Sequence, residues 1–375
     1  MVSLTRQPAT FVSQRSRGRN RIVAIVPAHN EEEHIAQAIE SLLAQTRQLD
    51  DIVVVSDNSS DATVRIARSY LVTVLETVGN THRKSGALNV AWHQCGTTAD
   101  IVVCIDGDTA LPPHAVADWE QEFAASVSLG GSSSQPVMTG YGLLPRIQRA
   151  EFAKSATISL HRGTASVISG TGCAFRGEAL RQISRLPGQD GPWTYESVVE
   201  DYYLTYRLRQ LGWRCVTSPT VWCWTGSMPT LKALWHQRIK WQLGTINDLV
   251  SFGINRLNWL DWVQQIWALA CIVFWMLWLT LDISEALVGR LRPDWTWVVF
   301  PAGFSLVELL HARRIRGRDW KDLVLAGSLV NIYVYTFLCM GWVATCWWKL
   351  VRGGSKDLWE AQYAAEAIMK EKEDA

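Results

Sequence analysis

The sequence lacks four features, each of which would have indicated a particular class of protein. Its 375 residues carry a formal net charge of only +1, which argues against a strongly basic nucleic-acid-binding protein, so no nucleic acid is expected as a partner. Its eight cysteines include no CxxC pair, which argues against a zinc site or a disulfide framework. No apolar segment opens the chain, so we expect no signal peptide. No GxGxxG motif follows the first predicted strand, so a dinucleotide-binding dehydrogenase would lack its phosphate turn.

Hydrophobic residues, by contrast, make up 48% of the chain, which includes 20 tryptophans. This composition is high for a soluble protein of this length and predicts a membrane portion. Residues 1–20 are predicted to form a flexible basic arm, since the first 21 residues contain five arginines and no acid. Such an arm can lie against anionic lipid or remain a solvated tail without a partner, and both interpretations stay open.

The next part of the chain alternates short apolar runs with helical patterns. The run from Arg21 to Pro27 is followed by a helix with one apolar face, and a second run ends at Asp57 before another helix. The runs at 72–75 and from Ile101 onward predict the third and fourth strands. This alternation predicts an α/β fold with a mostly parallel, doubly wound sheet.

Two aspartates follow the fourth predicted strand. Asp106 and Asp108 flank Gly107, and a Pro-Pro pair closes the turn before the next helix. In open α/β sheets, ligands bind at the carboxyl ends of the strands. Two carboxylates at this position suit a divalent cation that also holds a diphosphate. An ordinary polar turn between strand and helix has the same pattern, so the pair alone does not decide between them.

Polar side chains also follow the first two predicted strands. They are Pro27, His29, Asn30 and Glu31 after the first strand and Asp57 at the end of the second. Side chains at adjacent strand ends could bind a base and a ribose. The alternative is helix capping by Asn30 and by Asp61.

The region after Ser126 has a weaker pattern. The GGSSS segment is predicted to be a loop and PVMTGY a further strand. Gly170, Gly172 and Gly177 flank the TGCAF segment, where glycine either lets the backbone approach a ligand or marks a bulge.

An acidic pair, Glu200 and Asp201, opens the next predicted helix. The helix dipole stabilises an ionised carboxylate at this end, and capping explains such residues more often than catalysis does. Adjacent helical residues point about 100° apart, so only one of the two acids is expected to face a pocket.

Apolar segments dominate the chain after residue 230. Residues 231–261 are predicted to form amphipathic helices at a membrane surface, because tryptophan and leucine are interspersed with Lys232, Arg238 and Lys240. Residues 262–351 are predicted to be a transmembrane region of about three segments. Residues 352–375 are predicted to form a polar tail.

Two uncharged stretches in this region, 262–281 and 323–348, are long enough to cross a bilayer. A shorter stretch between them holds Pro301 and meets Glu308, and it is a third crossing or a re-entrant segment. The following HARRIRGRDWKD loop carries five basic residues and is predicted to be cytoplasmic. Three crossings would then leave the carboxyl terminus outside.

Taken together, these motifs resemble those of membrane-bound family 2 glycosyltransferases with the GT-A fold, of the branch that includes cellulose, chitin and hyaluronan synthases. The resemblance covers about residues 21–245 and implies a GT-A catalytic domain over residues 21–230. Each motif is weak alone, but several in one order at strand and helix ends are not expected by chance. They are VPAHNEE, VSDNSSD, RKSGALN, the aspartate pair, SGTGCAFR, VVEDYYLTYRL and QRIKW.

The resemblance implies a role for each matching residue. Asp201 corresponds to the catalytic base, and Asp106 and Asp108 correspond to the pair that binds Mg²⁺ or Mn²⁺ together with the donor. The residues implied to bind the nucleotide-sugar donor are Pro27, His29, Asn30, Glu31, Asp57, Lys84, Asp106 and Asp108. Those implied to bind the acceptor are Gly170, Thr171, Gly172, Glu200, Gln237, Arg238, Lys240 and Trp241. Lys240 stands where the QxxRW motif has arginine, and lysine cannot offer the same bidentate fork.

The implied activity is inverting transfer from a nucleotide sugar, expected to be a UDP-sugar, to an acceptor hydroxyl at the membrane. The resemblance implies an integral membrane protein of a bacterial inner or plasma membrane, with the catalytic domain in the cytoplasm and the lipid bilayer as a partner. The acceptor is a glycan, a lipid-linked compound or a protein. A polysaccharide synthase and a single-addition transferase both fit, and a membrane scaffold or channel that only binds nucleotide is the alternative from another class.

Overall fold

The computed structural model of the protein describes residues 18–290, 296–328 and 331–352. Most of the predicted basic arm and all but the first residue of the predicted polar tail lie outside these ranges. The chain divides into two compact units. The first contains the chain up to Thr139 together with Ser155–Gly226, and the second contains Gly140–Lys154 and the chain from Ser227 onward.

The first unit is built on a seven-stranded sheet with the order β3-β2-β1-β4-β6-β5-β7. Its strands are β1 (Ile22–Ala28), β2 (Asp51–Asp57), β3 (Thr73–Thr77), β4 (Ile101–Ile105), β5 (Leu129–Met138), β6 (Gly172–Arg176) and β7 (Arg214–Thr225). Only the pairings of β6 with β4 and with β5 are antiparallel. The predicted mostly parallel α/β sheet is therefore confirmed. Because the chain passes from β3 back to the other side of β1, the carboxyl ends of β1 and β4 form the switch point of the sheet.

The seven helices that connect these strands are α1 (Ile35–Leu43), α2 (Thr63–Ala67), α3 (Arg83–Gln94), α4 (Ala115–Ala125), α5 (Leu143–Arg162), α6 (Gly177–Ser184) and α7 (Glu200–Gln210). Both faces of the sheet are covered, one by α3, α6 and α7 and the other by α1, α2 and α4. Val23 and Ile25 of β1 belong to one buried cluster, whereas Ala24 and Val26 belong to the other. A strand buried on both faces needs apolar residues at successive positions, which is why β1 has no polar alternation.

The GGSSS segment was predicted to be a loop, and the structure corrects this prediction. These residues form the first half of β5 and are buried. A β-carbon at Gly130 would come within 2.6 Å of Trp213 Cβ, so only glycine lets the two segments approach this closely. The buried serine hydroxyls have hydrogen-bond partners: Ser132 donates to Glu122 at 2.6 Å, and Ser134 donates to Cys223 Sγ at 3.1 Å. Close packing and local hydrogen bonds thus stabilise a strand whose composition is typical of a loop.

The second unit is helical in the part that the structure describes. Besides the first half of α5 it contains α8 (Leu231–Phe252), α9 (Trp259–Leu287), α10 (Thr296–Ala312), α11 (Trp320–Ala326), a π-helix (Asn331–Tyr335) and α12 (Thr336–Val351). Two stretches, Trp259–Leu287 and Tyr333–Val351, are long and apolar enough to cross a membrane. Ala302–Ala312 within α10 is apolar but shorter.

Two predictions for this unit need correction. The uncharged run 323–348 is not one helix, because α11 ends at Ala326 and the stretch long enough to cross begins at Tyr333. In α8, Arg238 and Lys240 are only 5% and 6% exposed, so two basic residues predicted for a polar surface are buried. Ile239 of the same helix packs in a cluster with residues of α12.

Ion pairs connect α5 to the segment that opens α11. Arg146 donates to Asp319 through two nitrogens, at 2.5 and 2.6 Å, and to Asp322 at 2.9 Å. Arg149 reaches the other oxygen of Asp322 at 3.4 Å. The Asp322 side chain is fully buried. Asp319 also caps α11 by accepting from the backbone N–H of Lys321 and Asp322.

Candidate active site

Lys84 lies where three elements of the first unit meet. It belongs to the first turn of α3, and its Nζ donates to Asp106 Oδ1 at 2.5 Å. The same nitrogen lies 3.5 Å from Glu200 Oε1, at the start of α7. Burial alone would lower the pKa of Lys84, but the charges of Asp106 and Glu200 outweigh it and raise this pKa. The ammonium group is thus held in its charged form among carboxylates.

The two aspartates after β4 are held by different contacts. The Asp106 N–H donates to the Thr171 carbonyl oxygen at 3.2 Å, which continues the pairing of β4 with β6 beyond the strand. Asp108 accepts from Thr109 Oγ1 at 3.1 Å, and Thr225 Oγ1 of β7 donates to both of its oxygens at 3.3 Å. The contact with Thr225 was not predicted, because it joins residues far apart in sequence.

The carboxylates at the switch point are a suitable donor set for a divalent cation. Burial raises the pKa of Asp106, and Lys84 opposes this effect. Burial also raises the pKa of Glu31, with further contributions from Asp108 and Asp106, so three carboxylates lie near one another. Oxygen ligands of this kind fit Mg²⁺ or Mn²⁺. Within the described ranges no group of three or more metal-ligating side chains is arranged as a complete site, so a cation here would need further oxygen ligands from water or a phosphate.

Asp201 lies next to this cluster and has the properties of a proton acceptor. Its Oδ1 accepts from the Tyr202 N–H at 2.8 Å, and the Gly170 N–H also donates to it. Burial, followed by the charge of Glu200, raises the pKa of Asp201 to about 6. Asp201 and Glu200 line one small cavity with Lys84, so the expectation that only one acid of the pair faces the pocket is wrong.

Glycine is present at the three positions around TGCAF for different structural reasons. A β-carbon at Gly170 would lie 2.8 Å from Lys84 Nζ, so this glycine lets the backbone approach the charged cluster. At Gly172 the neighbour is Ser134, and at Gly177 the Ala99 carbonyl oxygen would lie only 2.0 Å away. Gly177 is therefore needed for packing, whereas a β-carbon at Gly172 would only come as close as 3.0 Å to Ser134 Oγ, and Gly170 is the one of the three that borders the candidate site.

Polar residues also surround Asp57 at the end of β2. Its Oδ1 accepts from Thr77 Oγ1 and from Asn80 Nδ2, each at 2.7 Å, and His29 Nδ1 lies 2.6 Å from its backbone oxygen. Asn80 lies three residues beyond the end of β3, so its position near a strand end could have revealed it. Asn30 accepts from the Ser60 N–H at 2.8 Å and so stabilises this loop instead of capping α1.

Two further predicted residues have local structural explanations. Asp61 Oδ1 accepts from the Thr63 N–H at 3.0 Å and so holds the turn that leads into α2, but the N-cap of this helix is Ala62, so the predicted capping by Asp61 is wrong. Pro27 lies beyond Ile25, the last residue of β1 that pairs with β4, and it lines the same cavity as Lys84. Its missing N–H therefore costs the β1–β4 ladder nothing.

The QRIKW residues lie on α8 in the second unit. Arg238 Nη2 donates to Glu151 Oε2 at 2.7 Å, and the Tyr335 hydroxyl donates to the same oxygen. The Arg238 guanidinium also lies 4.6 Å from the centre of the Trp241 ring. This internal ion pair was not predicted, since no local pattern links α5 to α8. The assignment of Gln237, Arg238, Lys240 and Trp241 to an acceptor stays a prediction.

The sheet order and the acidic cluster at its switch point are those of an α/β protein that binds a ligand at the carboxyl ends of its strands. The family model for Glycosyltransferase like family 2 matches residues 20–244, so the chain belongs to this family. The family predicted from the motifs is thus confirmed.

Among the similar proteins are poly-beta-1,6-N-acetyl-D-glucosamine synthases of staphylococci. The protein of Staphylococcus aureus strain COL is 26% identical over 234 residues, which is 60% of this chain and 54% of that protein. The protein of Staphylococcus epidermidis is 24% identical over 232 residues, or 59% and 53% of the two chains. The chain therefore spans about half the length of these relatives.

A similar solved structure is that of a mannosyltransferase from Pyrobaculum calidifontis in complex with GDP-Man and Mn²⁺. It has a TM-score of 0.55 and 17% sequence identity, and the match covers 88% of this chain and 87% of that one. This likeness concerns the fold and agrees with the predicted GT-A architecture.

Proposed function

We propose that the protein is an inverting glycosyltransferase that moves a sugar from a UDP-sugar to an acceptor hydroxyl at a membrane. The observation that carries this proposal is the convergence of Lys84, Asp106, Glu200 and Asp201 at the switch point of the sheet. A cation-binding carboxylate, a fixed ammonium group and a buried acid with a raised pKa are what this reaction requires.

The donor would be held on both sides of the switch point. Asp57, His29 and Asn30 are proposed to contact the uridine, and Lys84 the diphosphate, whose negative charge matches its ammonium group. Asp106 and Asp108, with Glu31 nearby, would hold Mg²⁺ or Mn²⁺. A bound divalent cation supplies charge neutralisation for the departing nucleoside diphosphate.

Asp201 would act on the acceptor. Its carboxylate accepts the proton of an acceptor hydroxyl while that oxygen forms a bond to the anomeric carbon. The bond between this carbon and the diphosphate oxygen breaks, and the nucleoside diphosphate leaves with the electron pair. One displacement inverts the carbon, so an α-linked donor gives a β-linked product. Glu200 contributes by holding Lys84 and by raising the pKa of Asp201.

The acceptor is proposed to approach the Gly170-Thr171-Gly172 segment, since Gly170 borders the catalytic acid. From the resemblance, Gln237, Arg238, Lys240 and Trp241 are also proposed to contribute to acceptor binding.

The names of the relatives make UDP-N-acetylglucosamine the first donor to test and a polysaccharide the first product to expect. The second candidate is the addition of one sugar to a lipid-linked or protein acceptor. Lys240 favours it, since this lysine replaces the motif's arginine and cannot make paired contacts with a phosphate.

The protein is further proposed to be integral to a bacterial inner or plasma membrane, with its first unit in the cytoplasm. The exposed apolar surface of α9 supports this, because none of its most apolar stretch is buried within the protein. The lipid bilayer would cover that surface.

The test is transfer by the full chain in membranes, supplied with individual nucleotide sugars and followed by mass analysis of the products. A ladder of products indicates a synthase, and a single added sugar indicates the second candidate. The Asp201→Asn protein in the same membranes is the control for contaminating enzymes. Nucleotide binding without hydrolysis or transfer of any sugar would instead support a nucleotide-binding scaffold.

A further inference from the structure

Residues 188–199, which lead from α6 to α7, lie against α3, and we call them the strap. Residues 191–194 of the strap are buried although they form neither helix nor strand. Buried backbone of this kind needs hydrogen-bond partners for its N–H and C=O groups, because water cannot supply them.

Asn89 of α3 supplies these partners for Trp193. Its Nδ2 donates to the Trp193 carbonyl oxygen at 2.7 Å, and its Oδ1 accepts from the Trp193 N–H at 3.1 Å. Asn89 is only 1% exposed. A β-carbon at Gly191 would lie 2.3 Å from Asn89 Oδ1, so glycine is required there for this approach. The side-chain amide thus pairs with the strap as a neighbouring strand would.

Two contacts near the surface attach the strap on either side of Asn89. The rings of His82 and Tyr195 stack with centroids 3.9 Å apart and planes 14° apart. At the other end of α3, His93 Nε2 contacts the Asp190 carbonyl oxygen. The strap is therefore held to α3 from its N-cap to its last turn.

The strap ends where the catalytic acid begins. Val199 is the N-cap of α7, and Asp201 is the second residue of that helix. Trp193 is 3% exposed, packs in the core with Leu204 of α7, and lines the cavity that also contains Lys84 and Asp201. A displacement of Trp193 would therefore move the start of α7 and open the cavity to water.

We propose that Asn89 is a positioning residue for Asp201. By fixing Trp193 it holds the strap against α3, which determines the position of the catalytic acid and excludes water from the cavity around it. This inference rests on the proposed function in which Asp201 is the base. Asn89 itself touches no substrate in this proposal.

The strap also accounts for an electrostatic property of the site. Burial is the largest cause of the raised pKa of Asp201, and the charge of Glu200 raises it further. The charge of Lys84 and the N–H groups of Tyr202 and Gly170 lower this pKa but do not outweigh the burial. Water entering a loosened cavity would remove part of the burial effect and lower this pKa.

The experiment uses the full chain with Asn89→Leu, which removes both hydrogen bonds at similar volume. We expect kcat to fall at least about tenfold while KM for the nucleotide sugar changes less than about twofold. Amide hydrogens of residues 191–199 should exchange at least about tenfold faster. In a plot of kcat against pH, the rising limb at low pH should move to lower pH, because the pKa of Asp201 falls. Gly191→Ala, whose β-carbon would lie 2.3 Å from Asn89 Oδ1 and so push the strap away from α3, should show changes of the same sign if Asn89→Leu does not fold.

Gln45 provides a matched control. It is also 1% exposed, donates to the carbonyl oxygens of Ser41 and Pro112, and accepts from the Val116 N–H. Gln45→Leu should therefore destabilise the protein comparably and leave kcat per folded molecule and strap exchange unchanged. Unchanged kcat and exchange in a folded Asn89 variant would overturn the inference. A lack of transfer by the unsubstituted protein would count against the proposed function instead, and the exchange data would still test the attachment of the strap.

Discussion

Asp201 is the residue on which the proposed chemistry depends most directly. Asp201→Asn keeps the size of the side chain and an oxygen that can accept from the Tyr202 N–H, but the amide cannot take a proton. We expect transfer to fall by roughly a hundredfold or more, the usual contribution of a positioned general base. Nucleotide affinity, measured by calorimetry, should stay within about twofold of the original value. Near-normal turnover would remove Asp201 as the base, and loss of nucleotide binding would indicate a structural role.

The raised pKa of Asp201 predicts how the rate depends on pH. The base must be ionised to accept a proton, so kcat should rise with pH through about 6 and level off above it. Glu200→Gln removes a negative charge that raises this pKa, so its acid limb should lie at lower pH, and its loss of activity should be smaller than that of Asp201→Asn. A limb that stays in place in Glu200→Gln would show that the two carboxylates do not interact as the structure indicates.

Removal of divalent cations tests the carboxylates at the switch point. Asp106, Asp108 and Glu31 repel one another and a diphosphate, so we expect excess chelator to abolish transfer and to weaken UDP binding in calorimetry. Mg²⁺ or Mn²⁺ should restore both. Full turnover in excess chelator would contradict this prediction.

At the scale of single residues, those at the ends of strands and helices were predictable. Asp57, Asp106 and Asp201 each follow or open an element with a clear hydrophobic pattern, and this local signal locates them. The contact of Lys84 with Glu200 was not predictable, because it depends on how α3 packs against α7. The pairing of Arg238 with Glu151 was not predictable either, because it depends on how α8 packs against α5.

At the scale of elements, α11 offers a direct comparison of a buried and an exposed ion pair. The Asp322 side chain is fully buried between Arg146 and Arg149, whereas that of Asp319 is 45% exposed. Asp322→Asn should lower the free energy of unfolding by about 3 kcal/mol, because it removes the buried negative charge that faces both Arg146 and Arg149. Asp319→Asn keeps an oxygen that can cap α11 and should cost less than about 1 kcal/mol.

Denaturant unfolding in detergent micelles, followed by tryptophan fluorescence, would measure both variants. Equal losses of stability would show that the difference in burial between the two carboxylates has no energetic consequence.

Elements without a regular pattern explain most of what sequence could not predict. The Gly-Ser half of β5 is a strand only because Trp213 and Glu122 lie beside it, and neither neighbour is local in sequence. The buried part of the strap follows no hydrophobic period at all. The central strands β1 and β2, by contrast, were predictable because burial on both faces requires continuous apolar runs.

At the scale of the whole molecule, the ion pairs between α5 and α11 bear on membrane topology. If the protein is inserted in a membrane as proposed, they require the 313–322 loop to lie on the same side of the bilayer as Arg146, and the basic residues of the loop predict that this side is cytoplasmic. With Arg318→Cys in this loop, an impermeant thiol reagent should label the protein only after intact cells are permeabilised.

Val127→Cys in the first unit is the matched control, since Val127 is 83% exposed. The native cysteines in the described chain are buried or half-buried, so background labelling should be low. Labelling of Arg318→Cys but not Val127→Cys in intact cells would place the loop on the outer face.

The same ion pairs constrain the parity of bilayer traversals. A loop on the side of Arg146 is reached only after an even number of traversals, so α9 and α10 either both traverse or both stay on one side. The 17 residues of α10 rise about 25 Å, somewhat less than a typical hydrocarbon core, and local thinning of the bilayer accommodates such a mismatch. If both helices traverse, Tyr333–Val351 makes an odd third passage and carries Arg352 to the face opposite Arg146. Two arginines and one buried aspartate would thereby determine on which face of the membrane the last helix ends.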